Sequence, residues 1–520
     1  MSTNPVPRPD INPWLIAIAV MSSTFMEVLD TTVVNVSLPH IAGSLSSSTN
    51  EATWTLTSYL VANAIVLPMT GWLAGRFGRK RLLLLAVTGF TTASFFCGLA
   101  PSLGFLIFFR IIQGACGGGL QPLSQAVLLE SFPAEKRGQA MAFWALGIVV
   151  APMLGPVMGG WLTDNYSWRW VFYINIPVGV IAILMTRFFI FDPPYIRRSS
   201  DRVDYWGIGM LALGIGALQI LLDKGQEEDW FSSDWITGLA IVSGIALLIF
   251  VIRELSVDHP VVELRVFRIQ TYATGVFLMT VVGFVLYGSL VLLPIFLQTL
   301  LAYPAVQAGI AMAPRGLGSF IAMPVVGAIM ARFDPRKLLL IGIGTASFTL
   351  FQLSWLNLDA GYWQIFWPQI LQGIALAFLF VPLTTATMSP IAPERMGNAT
   401  SIFNLMRNIG GSTGIAAVTT LIARREQVHT NILGEHLNPY DFGARMRLKG
   451  LTAVFISKGS DPPSAAHRAY AALFGMVQRQ AAMQSFVEAF WLLGIIFLAI
   501  TPLIFVMRRP KAHGSEFAAH

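Results

Sequence analysis

An all-α integral membrane protein built from two related halves is the fold class that the sequence predicts. Hydrophobic residues make up 55% of the chain and charged residues 12%, against roughly 25% charged residues in soluble domains. The segment 71–84 (GWLAGRFGRKRLLL) recurs as 327–340 (GAIMARFDPRKLLL). Duplicated halves made of long apolar runs are typical of secondary transporters, in which the site lies between the halves.

Composition also excludes several other classes of protein. The net charge is +7, but the basic residues occupy short breaks between apolar runs and form no stripe with interleaved aromatics, so nucleic acid is not an expected partner. Cys97 and Cys116 both lie inside apolar runs. We therefore expect neither a disulfide framework nor a metal site, and no cofactor.

Fourteen apolar runs of about 20 residues are long enough to span a bilayer. The first begins near Trp14 and lacks a small-residue cleavage site, so we expect a retained helix and not a signal peptide. The final residues, 514–520 (GSEFAAH), resemble a cloning scar. The predicted helices cover 14–37, 54–74, 81–100, 103–128, 141–163, 168–190, 204–223, 235–253, 271–299, 306–331, 337–355, 364–388, 400–422 and 486–507.

The repeat divides these helices into two bundles of six. Gly71 aligns with Gly327, and the Gln-Gly pair at 113–114 aligns with the pair at 372–373. Two helices are left over between the halves. The predicted domains are an N-terminal six-helix bundle over 1–190, an inserted transmembrane hairpin with its linkers over 191–270, and a C-terminal six-helix bundle over 271–513.

Basic residues predict the orientation of the helices. Lys and Arg concentrate in the short connections on the side of the N-terminus, so both termini are predicted to be cytoplasmic. Segment 424–484 is then a long, polar, irregular extracytoplasmic loop, within which 465–480 is predicted as an amphipathic helix. It is either a docking surface for a partner protein or a connection without a function of its own.

Charged side chains inside the apolar runs are the strongest functional signal, because an ionised group in the bilayer core is costly and is usually retained for a task. Glu27 and Asp30 lie on one face of the first helix, with Thr31 and Val34. Both carboxylates are candidate proton-coupling residues. Two alternatives stay open: Asp30 pairs with an arginine and never exchanges protons, or Glu27 recognises a cationic substrate.

A stripe of polar and small residues runs along the fourth predicted helix and includes Arg110, Gln113 and Gln121. Such a stripe cannot face lipid, so it lines a cavity or packs against another helix. Arg110 needs an acidic or carbonyl partner, and we predict that this partner is Asp30. Arg110 is therefore a candidate proton-coupling residue, and Gln113 and Gln121 are candidate substrate-binding residues.

The second half carries its own internal polar residues. Asn404 and Arg407 share one side of the thirteenth predicted helix and are candidate substrate-binding residues, with hydrogen bonding to backbone carbonyls as the alternative. Arg315 follows Pro314 and is either a cavity residue or a cap near a kink. Trp54 is a candidate for contact with the apolar part of a substrate, although membrane aromatics more often pack or anchor.

Two motifs are expected to govern helix movement. Small residues at four-residue spacing on the fifth predicted helix let two helices approach closely, and interleaved prolines bend it. The basic hairpin of the repeat suits a cytoplasmic latch, although its arginines also act as ordinary topology signals. The candidate conformational residues are Gly71, Arg76, Gly78, Arg79, Pro152, Gly155, Pro156 and Gly159.

Together these motifs resemble the major facilitator superfamily, and more narrowly its fourteen-helix drug:proton antiporters of the EmrB type. The segment 71–80 resembles the family's cytoplasmic motif, and 110–114 (RIIQG) resembles its helix 4 arginine motif. The segment 147–160, ending GPVMGG, resembles the helix 5 antiporter motif, and 29–39 resembles the helix 1 signature. One departure is Gly75, where the superfamily usually has Asp.

The resemblance implies the superfamily fold, with two inserted helices, in the bacterial inner membrane. It implies export of amphipathic toxic compounds in exchange for protons by alternating access, driven by the proton gradient. Asp30 would then be the proton site, Arg110 would tune it and Glu27 would face substrate. Such pumps commonly work with a periplasmic membrane-fusion adaptor and an outer-membrane channel.

Other functions stay open beside this one. Within transporters, the main alternative is an exporter of one endogenous metabolite, siderophore or lipid. A membrane enzyme would need a convergent catalytic set, and the sequence contains neither an HExxH motif nor a phosphate-binding P-loop, so we expect no enzyme. A receptor or scaffold would bind partners without moving a substrate.

Overall fold

In the computed structural model, the described residues are 12–192, 203–330, 332–437 and 440–507, and they fold into helices joined by short connections. Helix is the expected solution in lipid, because a spanning backbone must satisfy its own hydrogen bonds. Within these ranges, twelve helices are long and apolar enough to cross a membrane. The predicted all-α membrane class is confirmed.

The first bundle consists of α1 (Pro13–Ser44), α2 (Thr49–Phe77), α3 (Arg79–Gly98), α4 (Leu103–Ser131), α5 (Ala134–Asn165) and α6 (Trp170–Phe189). Asn12 caps α1 by accepting a hydrogen bond from the Trp14 N–H. The turn between α2 and α3 passes through Gly78, whose φ of 86° lies in the region that favours glycine. That glycine lets two long helices reverse direction within one residue.

The inserted hairpin consists of α7 (Tyr205–Lys224) and α8 (Asp234–Ser256). Asp204 caps α7 by accepting a hydrogen bond from the Gly207 N–H at 3.0 Å. The same carboxylate pairs with Arg253 near the end of α8 at 2.7 Å. The hydrogen bond from Arg253 lowers the pKa of Asp204 from its ordinary value. One acid therefore starts the first helix of the hairpin and ties it to the second.

The second half consists of α9 (Gln270–Leu300), α10 (Ala305–Ile329), α11 (Pro335–Leu353), α12 (Tyr362–Met388), α13 (Met396–Glu435), α14 (Phe442–Ser457) and α15 (Pro462–Val506). α11 and α13 are less apolar than the twelve candidate spans. The polarity of α13 has a structural cause, because Asn404 and Arg407 on this helix are buried in the interior. With these two helices, the fourteen predicted helices are all present.

Segment 424–484 differs from the irregular loop that the sequence predicted. α13 continues to Glu435, α14 fills the middle, and α15 already begins at Pro462. Asp441 and Asp461 cap α14 and α15, and Pro462 occupies the first turn of its helix, where a missing N–H costs nothing. The prediction of an irregular loop from polar composition is wrong, because most of this segment is helical. The helix predicted over 465–480 is confirmed as part of α15.

The repeated glycines mark two of the places where the halves touch. A Cβ on Gly71 of α2 would lie 2.6 Å from the backbone of Asn398 on α13. A Cβ on Gly327 of α10 would lie 2.9 Å from the Cβ of Ala142 on α5. Each half therefore presents the same motif glycine to the other, and any larger side chain would force the helices apart.

α7 lies against both halves. On the side of the first half, Asp223 accepts a hydrogen bond from the Thr57 hydroxyl of α2. On the other side, the Gln219 amide donates to the Ser412 hydroxyl of α13 at 3.0 Å. The inserted hairpin is thus a bridge between α2 and α13 and not a separate appendage.

Candidate functional site

Arg110 on α4 and Asp30 on α1 form a fully buried ion pair in the first bundle. Arg110 Nη1 lies 2.5 Å from Asp30 Oδ2 and also donates to Gln113 Oε1 at 2.9 Å. Its Nε donates to the carbonyl of Thr55 at 2.9 Å, and the guanidinium lies 4.1 Å from the centroid of the Tyr59 ring. The partner predicted for Arg110 is therefore present.

The second oxygen of Asp30 is also occupied. Oδ1 accepts hydrogen bonds from Gln113 Nε2 at 3.0 Å and from Asn175 Nδ2 at 2.7 Å. Asn175 on α6 also donates to Ser94 Oγ at 3.0 Å. Protonation would turn one acceptor oxygen into a donor, so proton uptake by Asp30 requires these contacts to rearrange. Sequence reasoning missed Asn175, although an amide within an apolar run was its signal.

Glu27, one turn before Asp30 on α1, has different partners. It is 5% exposed and accepts hydrogen bonds from Gln121 Nε2 at 2.5 Å and Asn63 Nδ2 at 3.1 Å. Both partners are neutral amides, so this carboxylate has no cation in direct contact among the described side chains. Asn63 on α2 was not among the predicted residues, and its signal was again an amide in an apolar run.

Gln121 connects Glu27 to the opposite half. Its amide nitrogen donates to Glu27, while its carbonyl oxygen accepts a hydrogen bond from Nη2 of Arg407 on α13. The result is a continuous chain from a buried carboxylate in the first bundle to a buried arginine in the second. Three residues predicted separately from sequence are thus brought together.

Two further contacts join α4 to α13 beside this chain. Asn404 Nδ2 donates to Gln125 Oε1 at 2.6 Å, and Thr400 Oγ1 donates to the carbonyl of Pro122 at 3.1 Å. These residues lie in the halves of α4 and α13 nearest the α2–α3 turn. The two halves are therefore bridged on the side of that turn.

Trp54 is not brought to this cluster. It lies at the opposite end of α2, where the Lys224 amino group is 5.8 Å from its ring centroid. Arg315 also lies apart, on α10, and donates to Ser289 Oγ of α9 at 3.1 Å. It is buried within the second half, and its hydrogen bond joins α10 to α9.

The hairpin arginines have partners that the sequence did not identify. Arg79 forms an ion pair with Glu130 at the end of α4, and the Arg76 guanidinium lies 5.8 Å from the centroid of the Trp72 ring. Asp192 accepts a hydrogen bond from the backbone N–H at position 80, the second residue of α3, at 2.8 Å. Glu130 of α4 and Asp192, just beyond α6, therefore supply anionic contacts to this hairpin, which has Gly75 in place of an Asp.

The close approach expected from the small residues of the fifth predicted helix is present between α5 and α1. A Cβ on Gly155 would lie 2.1 Å from Thr32 Oγ1, and one on Gly159 would lie 2.8 Å from the carbonyl of Val33. Pro152 and Pro156 lie inside α5. The role of these residues in conformational change stays a prediction.

Comparison with known proteins now identifies the family. The model of the Major Facilitator Superfamily matches residues 20–415. The multidrug export protein EmrB of Escherichia coli K12 is 38% identical over 97% of this chain and 98% of its own length. The chain is an EmrB-type member of the Major Facilitator Superfamily.

Other relatives and structures agree with that assignment. The fatty acid resistance protein FarB of Neisseria gonorrhoeae is 38% identical over 95% of both chains, and the colistin resistance protein EmrB of Acinetobacter baumannii is 30% identical over 96% of this chain and 97% of its own. A double Trp mutant of XylE aligns with a TM-score of 0.61 over 96% of this chain and 97% of that one at 14% identity. As a superfamily member the protein is a transporter, with the buried polar cluster between and within its two bundles.

Proposed function

We propose that this transporter is a drug:proton antiporter that exports amphipathic toxic compounds by alternating access. The observation that carries the proposal is a pair of carboxylates one helical turn apart with different partners. Asp30 is bound to Arg110 inside its own bundle, whereas Glu27 is linked through Gln121 to Arg407 of the other bundle. One carboxylate suits proton storage, and the other suits control of the contact between the bundles.

The proposed cycle follows from these contacts. A proton on Asp30 removes the negative charge that holds Arg110, and frees the amide contacts of the pair to rearrange. A substrate cation at Glu27 displaces Gln121, which weakens its hydrogen bond to Arg407. Both carboxylates lie on α1, so protonation of Asp30 and binding of substrate at Glu27 each change the contacts of the same helix. The two events thereby compete. Neither step needs a cofactor, since the proton gradient supplies the energy.

The nature of the cargo is supported by the relatives. Their names refer to multidrug export, fatty acid resistance and colistin resistance. Fatty acids and colistin share an apolar part and a charged part. We therefore propose amphipathic compounds, and not small polar nutrients, as the substrates.

Proton release from acidified inside-out vesicles tests the coupling. Lipophilic cations are added outside, and an internal pH dye reports proton exit from wild type, Asp30→Asn and Glu27→Gln. We expect the signal to vanish in Asp30→Asn and to fall selectively for cations in Glu27→Gln. Asp258→Asn, an exposed acid between α8 and α9, is the matched control and should behave as wild type.

Protein-free vesicles exclude direct uncoupling by the compounds themselves. A full response in Asp30→Asn would remove Asp30 from the coupling site. No response of wild type to any member of the panel, with substrate accumulation still measured directly, would show transport without proton exchange and contradict the antiport proposal.

We further propose that the chain is the inner-membrane part of a tripartite pump, with both termini in the cytoplasm. α14 and the first turns of α15 extend beyond the apolar spans, and α14 has no buried residue. Phe442 and Met446 of α14 are exposed apolar side chains and suit a periplasmic membrane-fusion adaptor, which in turn would reach an outer-membrane channel. Alkylation of Met446→Cys in intact cells by a membrane-impermeant reagent should succeed if this side is periplasmic. Labelling only after lysis would reverse the topology.

A further inference from the structure

Arg315 is a buried cation without a carboxylate partner. Its side chain is 2% exposed, and in the described part of the chain its hydrogen bond is from Nη2 to Ser289 Oγ at 3.1 Å. Its Nε is buried without a hydrogen-bond partner. A guanidinium carries five N–H donors and stays charged, so this site is unsatisfied both in charge and in hydrogen bonding.

The second half has no internal acid that could approach Arg315. Between residues 270 and 422 the only acids are Asp334, Asp359 and Glu394, and all three lie in connections between helices. Glu488 on α15 is already paired with Arg425. The interior of the second half thus holds Arg315 and Arg407 and no carboxylate, whereas the first half holds Glu27 and Asp30.

The internal repeat shows what is missing. The alignment of Gly71 with Gly327 places Arg315 on α10 at the position of Tyr59 on α2. The packing agrees, because a Cβ on Gly114 would lie 2.3 Å from the Tyr59 carbonyl, and one on Gly373 would lie 1.9 Å from the Arg315 carbonyl. Each half therefore has a guanidinium where its second helix crosses its fourth. In the first half it belongs to Arg110, beside Tyr59, and in the second half it belongs to Arg315.

The first helix of each half supplies an oxygen that contacts this guanidinium. In the first half it is the Asp30 carboxylate of α1, and in the second it is the Ser289 hydroxyl of α9. Ser289 donates its own proton to the carbonyl of Leu286 at 2.9 Å, which leaves its oxygen as a neutral acceptor. The second half therefore has a buried cation, Arg315, but no carboxylate in the position that Asp30 occupies in the first half.

Arg315 also borders the contact between the halves. The next residue, Gly316, faces Met153 of α5, and a Cβ there would lie 2.3 Å from the Met153 sulfur. A methionine side chain is flexible and can move aside. A ligand that enters between α5 and α10 would therefore lie beside the residue next to Arg315 once that thioether moves aside.

We propose that Arg315 binds the anionic head group, a carboxylate or sulfonate, of an amphipathic substrate, at the position where the first half places Asp30. This inference rests on the proposed export of amphipathic compounds and assigns the residue that would recognise the acidic ones among them. A carboxylate would accept paired hydrogen bonds from the guanidinium, while the apolar part of the molecule lies against the surrounding helices. Arg315 is thus a residue that determines specificity.

Equilibrium binding to purified protein in nanodiscs tests this site without any proton gradient. The probes are dansylaminoundecanoic acid and its primary amide, which differ in charge and hardly in shape. We expect Arg315→Gln to weaken binding of the acid about tenfold or more, and to change binding of the amide less than about twofold. Arg315→Lys should retain part of the preference for the acid. Arg447→Gln on α14 is the control for loss of an exposed arginine.

Ser289→Asp supplies a second, opposite test. It gives Arg315 the carboxylate that the repeat lacks, so binding of the acid should fall as far as in Arg315→Gln although no positive charge is removed. Ser289→Asn has the same shape without the charge and should keep most of the preference. The comparison of Ser289→Asp with Ser289→Asn tests whether Arg315 binds the acid even if Arg315→Gln fails to fold.

Three results would overturn the assignment. Equal loss of acid and amide binding in Arg315→Gln would indicate a purely structural arginine, as would undiminished binding of the acid in Ser289→Asp. Equal binding of the acid and the amide by wild type would show that the site does not recognise the negative charge. Failure of the proton-release assay with Asp30 variants would leave these binding results unaffected, so the two proposals fail separately.

Discussion

The buried pair of Asp30 and Arg110 should dominate the stability of the first bundle, and a double-mutant cycle measures it. Both side chains are 0% exposed, so removal of one leaves an uncompensated charge, which typically costs about 3–5 kcal/mol. Arg110 would keep Gln113 Oε1 and the Thr55 carbonyl as acceptors. We therefore expect Asp30→Asn and Arg110→Gln each to cost about 3 kcal/mol, at the lower end of that range.

The double variant removes both charges and leaves no unpaired ion. Its loss should be well below the sum of the single losses, which gives a coupling energy of about 2 kcal/mol or more. Reversible unfolding in mixed micelles of dodecyl maltoside and dodecyl sulfate, followed by tryptophan fluorescence, provides the three free energies. A coupling energy below about 0.5 kcal/mol would refute the argument that these two groups satisfy each other.

Further predictions concern packing and pH. Gly373→Ala should destabilise the protein by about 1–3 kcal/mol, because its Cβ would lie 1.9 Å from a carbonyl oxygen of α10 and the two helices must separate. Gly344→Ala on α11 is the control: its Cβ would have no atom within 4 Å, so this variant should be neutral or stabilising in the same unfolding assay. Because Arg253 lowers the pKa of Asp204, the stability from this pair is present above the ordinary pKa of about 4 and is lost as pH falls below it. The unfolding temperature of wild type should therefore fall as the pH is lowered, and Asp204→Asn should abolish this dependence. An unchanged dependence in the variant would contradict the pairing.

Much of the helical framework followed from hydropathy, because lipid forces each spanning segment to be apolar and helical. The same rule explains where prediction was wrong. Segment 424–484 is not apolar, so no such constraint applied. It is nevertheless helical in α13, α14 and α15, with Asp441 as the acid cap of α14 and Asp461 as that of α15. The caps were visible in the sequence but carry less signal than a twenty-residue apolar run.

Periodicity found the chemical groups of the interior better than it found their partners. Glu27 and Asp30 were placed on one face of α1, and Arg110 was matched to Asp30. The amides of Asn63 and Asn175 were missed, since a single amide in an apolar run is a weaker signal than a charged residue or a stripe of polar residues. Trp54 was predicted to contact substrate because its ring is large and apolar, yet it lies at the far end of α2 beside Lys224.

The sequence by itself determined that this is a duplicated helical membrane protein with buried charges on α1, α4 and α13, because a charged residue within an apolar run is visible in the sequence. Tertiary structure alone decided which charges meet. Hydrogen bonds depend on distances between helices that are far apart in the chain. Only the fold shows that Gln121 joins Glu27 to Arg407 across the two halves, and that Arg315 faces Ser289 where the first half has Asp30.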